Sequence, residues 1–181
     1  MPHPLQPEAP APDSAEFPYD EGDYLFHLMV AVTRYRDADL EKAVKPLDLN
    51  LSYYRAMVVM AHFAPCSMSE LAEFSMVDRT TLTRTVDQLV ARGLVERSHA
   101  RLDRRQVLLT LTEAGWARYL LAQEVVRSRN DTLTAGLPPH LTRAMIRSQQ
   151  ALIASWDLGE DLTHRLLTLQ RPGGAPAAAN D

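Results

Sequence analysis

The sequence predicts a mainly α fold of the α+β class, in which a helix-turn-helix is followed by a two-stranded hairpin and flanked by long helices from both chain ends. Three observations predict it. Apolar residues recur at helical spacing through most of the chain, N-cap signatures at Ser67 and Asp78 bracket a short turn, and only residues 94–112 alternate as strands do. With 181 residues and 46% hydrophobic content, the chain has the size and composition of one domain with a real core.

Residues 1–18 open with "MPHPLQPEAPAP" and residues 171–181 read "RPGGAPAAAND". Both are too poor in large apolar side chains to bury their own backbone, so both are expected to be disordered tails. Between them, 19–170 is expected to be a single domain. Leu25, Leu28, Met29, Val32 and Tyr35 place an amphipathic helix over 23–44, ended by Pro46. A second helix over 52–63 is apolar almost all round, hence central. Ser67 and Glu70 form an S-x-x-E capping box ahead of a short helix over 68–74. Asp78 caps the next helix, whose buried stripe is Leu82, Val86, Leu89 and Val90, and Gly93 stops it. "LVERS" and "QVLLTLT" then form the two strands of a wing, joined by the polar "HARLDRR". Thr112 caps a helix carrying Trp116, Tyr119 and Leu120. Helical spacing resumes after "GLPPH" through Leu141, Met145, Leu152 and Trp156, and again from Leu162 to Leu169. Residues 51–112 thus make a winged helix-turn-helix. The flanking helices, 19–50 and 113–170, exceed what such a unit needs and are expected to form a helical platform that pairs two copies in a homodimer.

The net charge is −4, yet residues 78–105 hold seven arginines against four carboxylates, a local +3 that leaves −7 on the remainder. All of that basic charge is arginine, whose planar fork matches guanine edges and phosphates. Arg79, Thr80, Thr81, Thr83 and Arg84 lie off the buried stripe in the first two turns of their helix. This is a face suited to the major groove of double-stranded DNA: the helix N-terminus favours phosphate, threonine meets base edges or the thymine methyl, and arginine reads guanine. The wing tip, with Arg101, Asp103, Arg104 and Arg105, is placed to reach the neighbouring minor groove, whose negative potential attracts arginine. Asp103 there reads as the partner that fixes an arginine's direction.

The capping box "SMSELAEF", the helix "VDRTTLTRTVDQLVARGLV" and the D-x-R wing of "LDRRQVLLTLTEAG" resemble the MarR family of bacterial transcription regulators, over about residues 24–156. The resemblance implies a triangular winged-helix dimer on a pseudo-palindromic operator. It gives Arg105 the minor groove, Asp103 its positioning, Arg84 a recognition-helix contact and Arg104 a phosphate. Met76 departs from the small residue usual in that turn. The family's peroxide sensors carry a cysteine where this chain has Phe26, so the resemblance does not extend to thiol sensing there.

The resemblance also implies a repressor released by a small molecule held between platform and winged helix. His27 and Arg34 on the first helix, with Arg55 and His62 on the second, are the candidate ligand contacts. Cations beside Tyr53, Tyr54 and Met57 suit an aromatic carboxylate or its coenzyme A thioester. Cys66 stands just before a helix N-terminus, a place that can lower a thiol's pKa. The plainer reading is a small buried thiol, with oxidant sensing through Cys66 or a winged-helix protein-interaction module as alternatives to a ligand-responsive repressor. A single cysteine and six scattered histidines make no metal set. No nucleophile and base stand at a motif spacing, and no glycine loop for phosphates is present, so neither enzyme nor cofactor is expected. The opening residues lack a signal-peptide pattern and no run approaches about 18 apolar residues, so a cytoplasmic protein without membrane contact is expected.

Overall fold

The computed structural model describes residues 20–75, 77–100 and 106–167. Helix α1 spans Glu21–Val44 and runs into a 3-10 turn at Lys45–Leu47. It is followed by α2 (Leu51–Phe63), β1 (Cys66–Ser67), α3 (Met68–Ser75), α4 (Arg79–Ala91), β2 (Val95–His99) and β3 (Val107–Leu111). Helices α5 (Glu113–Thr134), α6 (Pro139–Ser155) and α7 (Glu160–Leu167) complete it.

The caps are made by the residues whose chemistry demands it. Asp20 Oδ1 accepts the Gly22 N–H at 2.9 Å and Asn50 Oδ1 accepts the Tyr53 N–H at 2.8 Å. At α3 the box is reciprocal: Glu70 Oε2 accepts the Ser67 N–H at 2.8 Å, and Ser67 Oγ accepts the Glu70 N–H at 3.3 Å. Gly93 has φ 67°, a left-handed conformation that costs glycine nothing, and turns the chain out of α4 into β2. Gly115 is required by space: a Cβ there would lie 2.0 Å from the Leu94 carbonyl oxygen, so α5 starts pressed against the entry to β2.

Helix α2 is central as expected, packing on α1, α3, α4, α5 and β3. Ala56, Met57 and Met60 are fully buried there, with Leu71 from α3, Leu82, Val86 and Leu89 from α4, and Tyr119 and Ala122 from α5. The sheet has three strands, not two. β1 pairs antiparallel with β3 through Cys66 opposite Leu109, giving the order β1-β3-β2, while β2 and β3 form the hairpin with Val95 opposite Leu111 and His99 opposite Val107.

The flanking helices behave differently. Only Leu40 and Val44 of α1 are buried, and α6 has no buried residue. Within the chain it is α5 that packs along α1, joined by Arg129 to Asp39 at 2.9 and 2.5 Å and by Arg36 to Asn130 at 3.1 Å, whereas α6 packs against α7. Val30, Val32 and Tyr35 on α1, Leu121 on α5 and Ile146 on α6 are all more than half exposed. Among the described residues no helix is long and apolar enough to cross a membrane.

Candidate nucleic-acid interface

Asp78 fixes the start of α4. Its Oδ1 accepts the Thr81 N–H at 2.8 Å, and hydrogen bonding from Thr81, its side chain first and its backbone N–H next, holds the carboxyl below its ordinary pKa, so the cap stays ionised at neutral pH. Leu82, Val86 and Leu89 then point into the core, with Thr85 buried beside them. That burial fixes the rotation of the helix about its axis. As a result Arg79, Thr80, Thr81, Thr83 and Arg84 are all exposed along one side of the first two turns. The Thr83 hydroxyl donates to the Arg79 carbonyl at 3.1 Å. Among the described residues no acid pairs with Arg79 or Arg84, so both guanidinium groups keep their donors for an incoming acceptor.

The wing is tied to this helix by a contact the sequence reading did not assign. Arg97 on β2 donates to Asp87 on α4 at 2.6 Å, and across the hairpin Thr110 donates to Glu96 at 3.1 Å. The position of Arg97 on its strand, facing a carboxylate on α4, is a tertiary fact that a charge count along the sequence does not carry. Beyond His99 the ladder continues, with the Ala100 N–H donating to the Gln106 carbonyl at 3.0 Å. Arg101, Asp103, Arg104 and Arg105 lie outside the described residues, as does Met76. At the other end of the wing, the Thr112 hydroxyl donates to the Gly93 carbonyl at 2.6 Å and accepts the Gly115 N–H at 3.0 Å, joining the exit of α4 to the start of α5.

Of the candidate ligand contacts, His27 and Arg34 are exposed on α1. Arg55 is half-buried and donates to Asp37 Oδ2 at 2.7 Å, and His62 Nδ1 lies 2.7 Å from the Val58 carbonyl. Between α2 and α5 a groove of about 390 Å³ is lined by Tyr54, Gln123, Glu124, Val126, Arg127, Asn130 and Asp131, and by none of those four residues. Tyr54 stacks on Tyr119 at 6.3 Å, and burial raises the pKa of both phenols, keeping them neutral.

Cys66 is fully buried in β1. Burial first, and then the charge of Glu70, push its thiol up to about 11, the reverse of what a helix N-terminus alone does. At neutral pH it is a protonated core side chain. Among the described residues no group of three or more His, Cys, Asp or Glu side chains could hold a metal ion.

The model of the MarR family matches residues 47–106, the segment running from the 3-10 turn through the winged helix. The multiple antibiotic resistance protein MarR of Escherichia coli (strain K12) is 31% identical over 116 residues, covering 61% of this chain and 81% of that protein. Its apo crystal structure superposes with a TM-score of 0.64, covering 71% of this chain and 96% of that one. The HTH-type transcriptional regulator Hpr of Geobacillus sp. (strain WCH70) is 31% identical over 88 residues, 49% of this chain, which spans 44% of that relative's length. CouR from Rhodococcus jostii RHA1, solved bound to p-coumaroyl-CoA, shares the fold with a TM-score of 0.66 at 24% identity, covering 76% of this chain and 97% of that one. The capped helix pair and the hairpin strands thus sit in the framework they pointed to: this chain belongs to the MarR family of transcriptional regulators.

Proposed function

We propose that this protein is a homodimeric, sequence-specific DNA-binding repressor released by a small aromatic carboxylate or its coenzyme A thioester. The observation that carries the DNA reading is the first two turns of α4, where burial of Leu82, Val86 and Leu89 leaves Arg79, Thr80, Thr81, Thr83 and Arg84 outward together. Arg84 reads a base edge there, the threonines meet base edges and methyls, and Arg79 meets phosphate. Arg101, Arg104 and Arg105, with Asp103, form the wing's contact to the flanking groove. The ion pair between Asp87 and Arg97 supports this by fixing the wing's root to the recognition helix.

The dimer reading is supported by the exposed apolar side chains of α1, α5 and α6, which a second copy would cover; a twofold arrangement then calls for a pseudo-palindromic operator. The ligand reading draws support from CouR, whose crystal structure holds p-coumaroyl-CoA, an aromatic acyl thioester. For this chain His27, Arg34, Arg55 and His62 remain the contacts proposed from sequence, with Arg55 freed only by breaking its bond to Asp37.

Operator and random DNA titrated across a salt series test the reading, because counterion release weakens phosphate contacts on both alike. Arg84→Ala is expected to cost about 1–3 kcal/mol on the operator and much less on random DNA. Equal losses on the two DNAs would reduce Arg84 to a phosphate contact and remove α4 as the reader of sequence.

A further inference from the structure

Arg84 is exposed in the second turn of α4, and the only acid within four residues of it is Asp87, three places on. Residues three apart on a helix lie side by side on its surface, and opposite charges there attract. Left to the helix alone, Asp87 would draw Arg84 into an ion pair and occupy donors that a guanine edge needs. Asp87 is engaged elsewhere. Its Oδ1 accepts from Arg97 Nη2 at 2.6 Å, a charge-assisted bond between side chains that are 54% and 41% exposed. The strand register aims Arg97 at that carboxylate. Val95 is buried opposite Leu111, and Arg97, two residues on and opposite the buried Leu109, projects from the same face of the hairpin. Since α4 packs on β2, the apolar row continues outward as a cation beside Asp87. Glu96 lies on the other face, where it accepts from Thr110 at 3.1 Å, so it does not compete for Arg97.

Resting on the reading of α4 as the helix that recognises DNA, we infer that Arg97 is a positioning residue for sequence specificity: by holding Asp87, it keeps Arg84 unpaired for a base edge and masks a carboxylate from the DNA phosphates. The same ion pair roots the wing, but the two duties respond differently to substitution. Arg97→Gln frees Asp87 to turn to Arg84. Asp87→Asn in the same chain then removes the competing charge, so the second change undoes the first. A wing that had only lost its root would gain nothing from it.

The test titrates the full chain on two probes at one salt concentration: the duplex that the wild type enriches most from a randomised pool, and the unselected pool. The variants are Arg97→Gln, Arg84→Ala, Arg97→Gln with Asp87→Asn, and Arg97→Gln with Arg84→Ala. The readout is the ratio of the two affinities, which largely cancels the uniform electrostatic contribution of each charge change. Arg97→Gln should lower the ratio by about three- to tenfold, short of the loss in Arg84→Ala because Arg84 is diverted and not removed. Adding Asp87→Asn restores the wild-type net charge and should return the ratio to near the wild-type value. Once Arg84 is alanine, Arg97→Gln should cost nothing further. A ratio unmoved by Arg97→Gln overturns the inference. So does a loss that Asp87→Asn fails to repair, or one that persists in the Arg84→Ala background and so gives Arg97 a role independent of Arg84. If Arg84→Ala itself weakens both probes alike, the reading of α4 falls first, and this role for Arg97 with it.

Discussion

The winged helix and the helices that flank it are built to different degrees of completion. From α2 to the start of α5 the chain packs on itself: α3, α4 and α5 each begin on a side-chain cap, α4 has a fully buried stripe, and the sheet's third strand is drawn from the loop after α2. Along α1 and α6 the same chain leaves apolar side chains facing outward and joins α1 to α5 through polar contacts such as Arg129 to Asp39. The difference separates what the chain holds fixed by its own packing from the apolar surface it leaves facing outward.

The largest effect expected on this contrast comes from truncating each region in turn. Leu82→Ala should cost about 2–5 kcal/mol of folding stability, since the site is fully buried and its neighbours cannot close over the gap. Ile146→Ala, on a side chain 52% exposed, should lie within about 0.5 kcal/mol in denaturant unfolding of the chain. Comparable losses at the two positions would mean that α6 is as much a part of the core as α4. Next in size, Gly115→Ala should destabilise by about 3 kcal/mol or more, because the added methyl meets a backbone carbonyl that cannot rotate away. A thermal melt unchanged by this substitution would show that α5 can move off β2. Thr112→Ala, removing one cap hydroxyl, should cost about 1 kcal/mol by chemical denaturation.

The smallest effect is a matter of pH. Asp39 is held below its ordinary pKa, first by the hydrogen bond from Arg129. A carboxyl whose folded value is depressed contributes stability that is complete above the unfolded value, about 3.9, and is lost as pH falls through the folded one. Asp39→Asn should therefore flatten the acid limb of the stability profile and leave its alkaline side unmoved. An acid limb of unchanged slope would remove the bridge between α1 and α5 from the balance.

Much of the winged helix could be read from sequence because its determinants are local. Asp78, the Ser67 and Glu70 box, Thr112 as the cap of Gly115, and Gly93 each act within a turn of themselves, and the 3.6-residue stripe of α4 decides which of its residues face out. Strand β1 could not be read that way: two residues carry no periodicity, and Cys66 and Ser67 are a strand only because the edge of β3 is there to pair with them. The same holds for the pairs of Arg92 with Asp48, Arg97 with Asp87 and Arg55 with Asp37, each of which joins separate elements. The composition of α1 and α2 alone points to His27, Arg34, Arg55 and His62 and carries none of these partners. The wing-tip residues Arg101, Asp103, Arg104 and Arg105 rest on sequence and resemblance.

The Thr112 hydroxyl both donates to the Gly93 carbonyl and accepts from the Gly115 N–H. That dual use narrows which residues the position tolerates. Aspartate, as good an N-cap as threonine elsewhere, accepts the Gly115 N–H but has no proton to give Gly93, and would set a carboxylate against a carbonyl oxygen. Valine matches the shape and does neither. Serine retains both bonds. In a library of all substitutions at residue 112, survivors should sort by hydroxyl and not by helix-capping rank, so one side chain's proton inventory dictates the vocabulary of the joint between the DNA-reading unit and the helix that leads away from it.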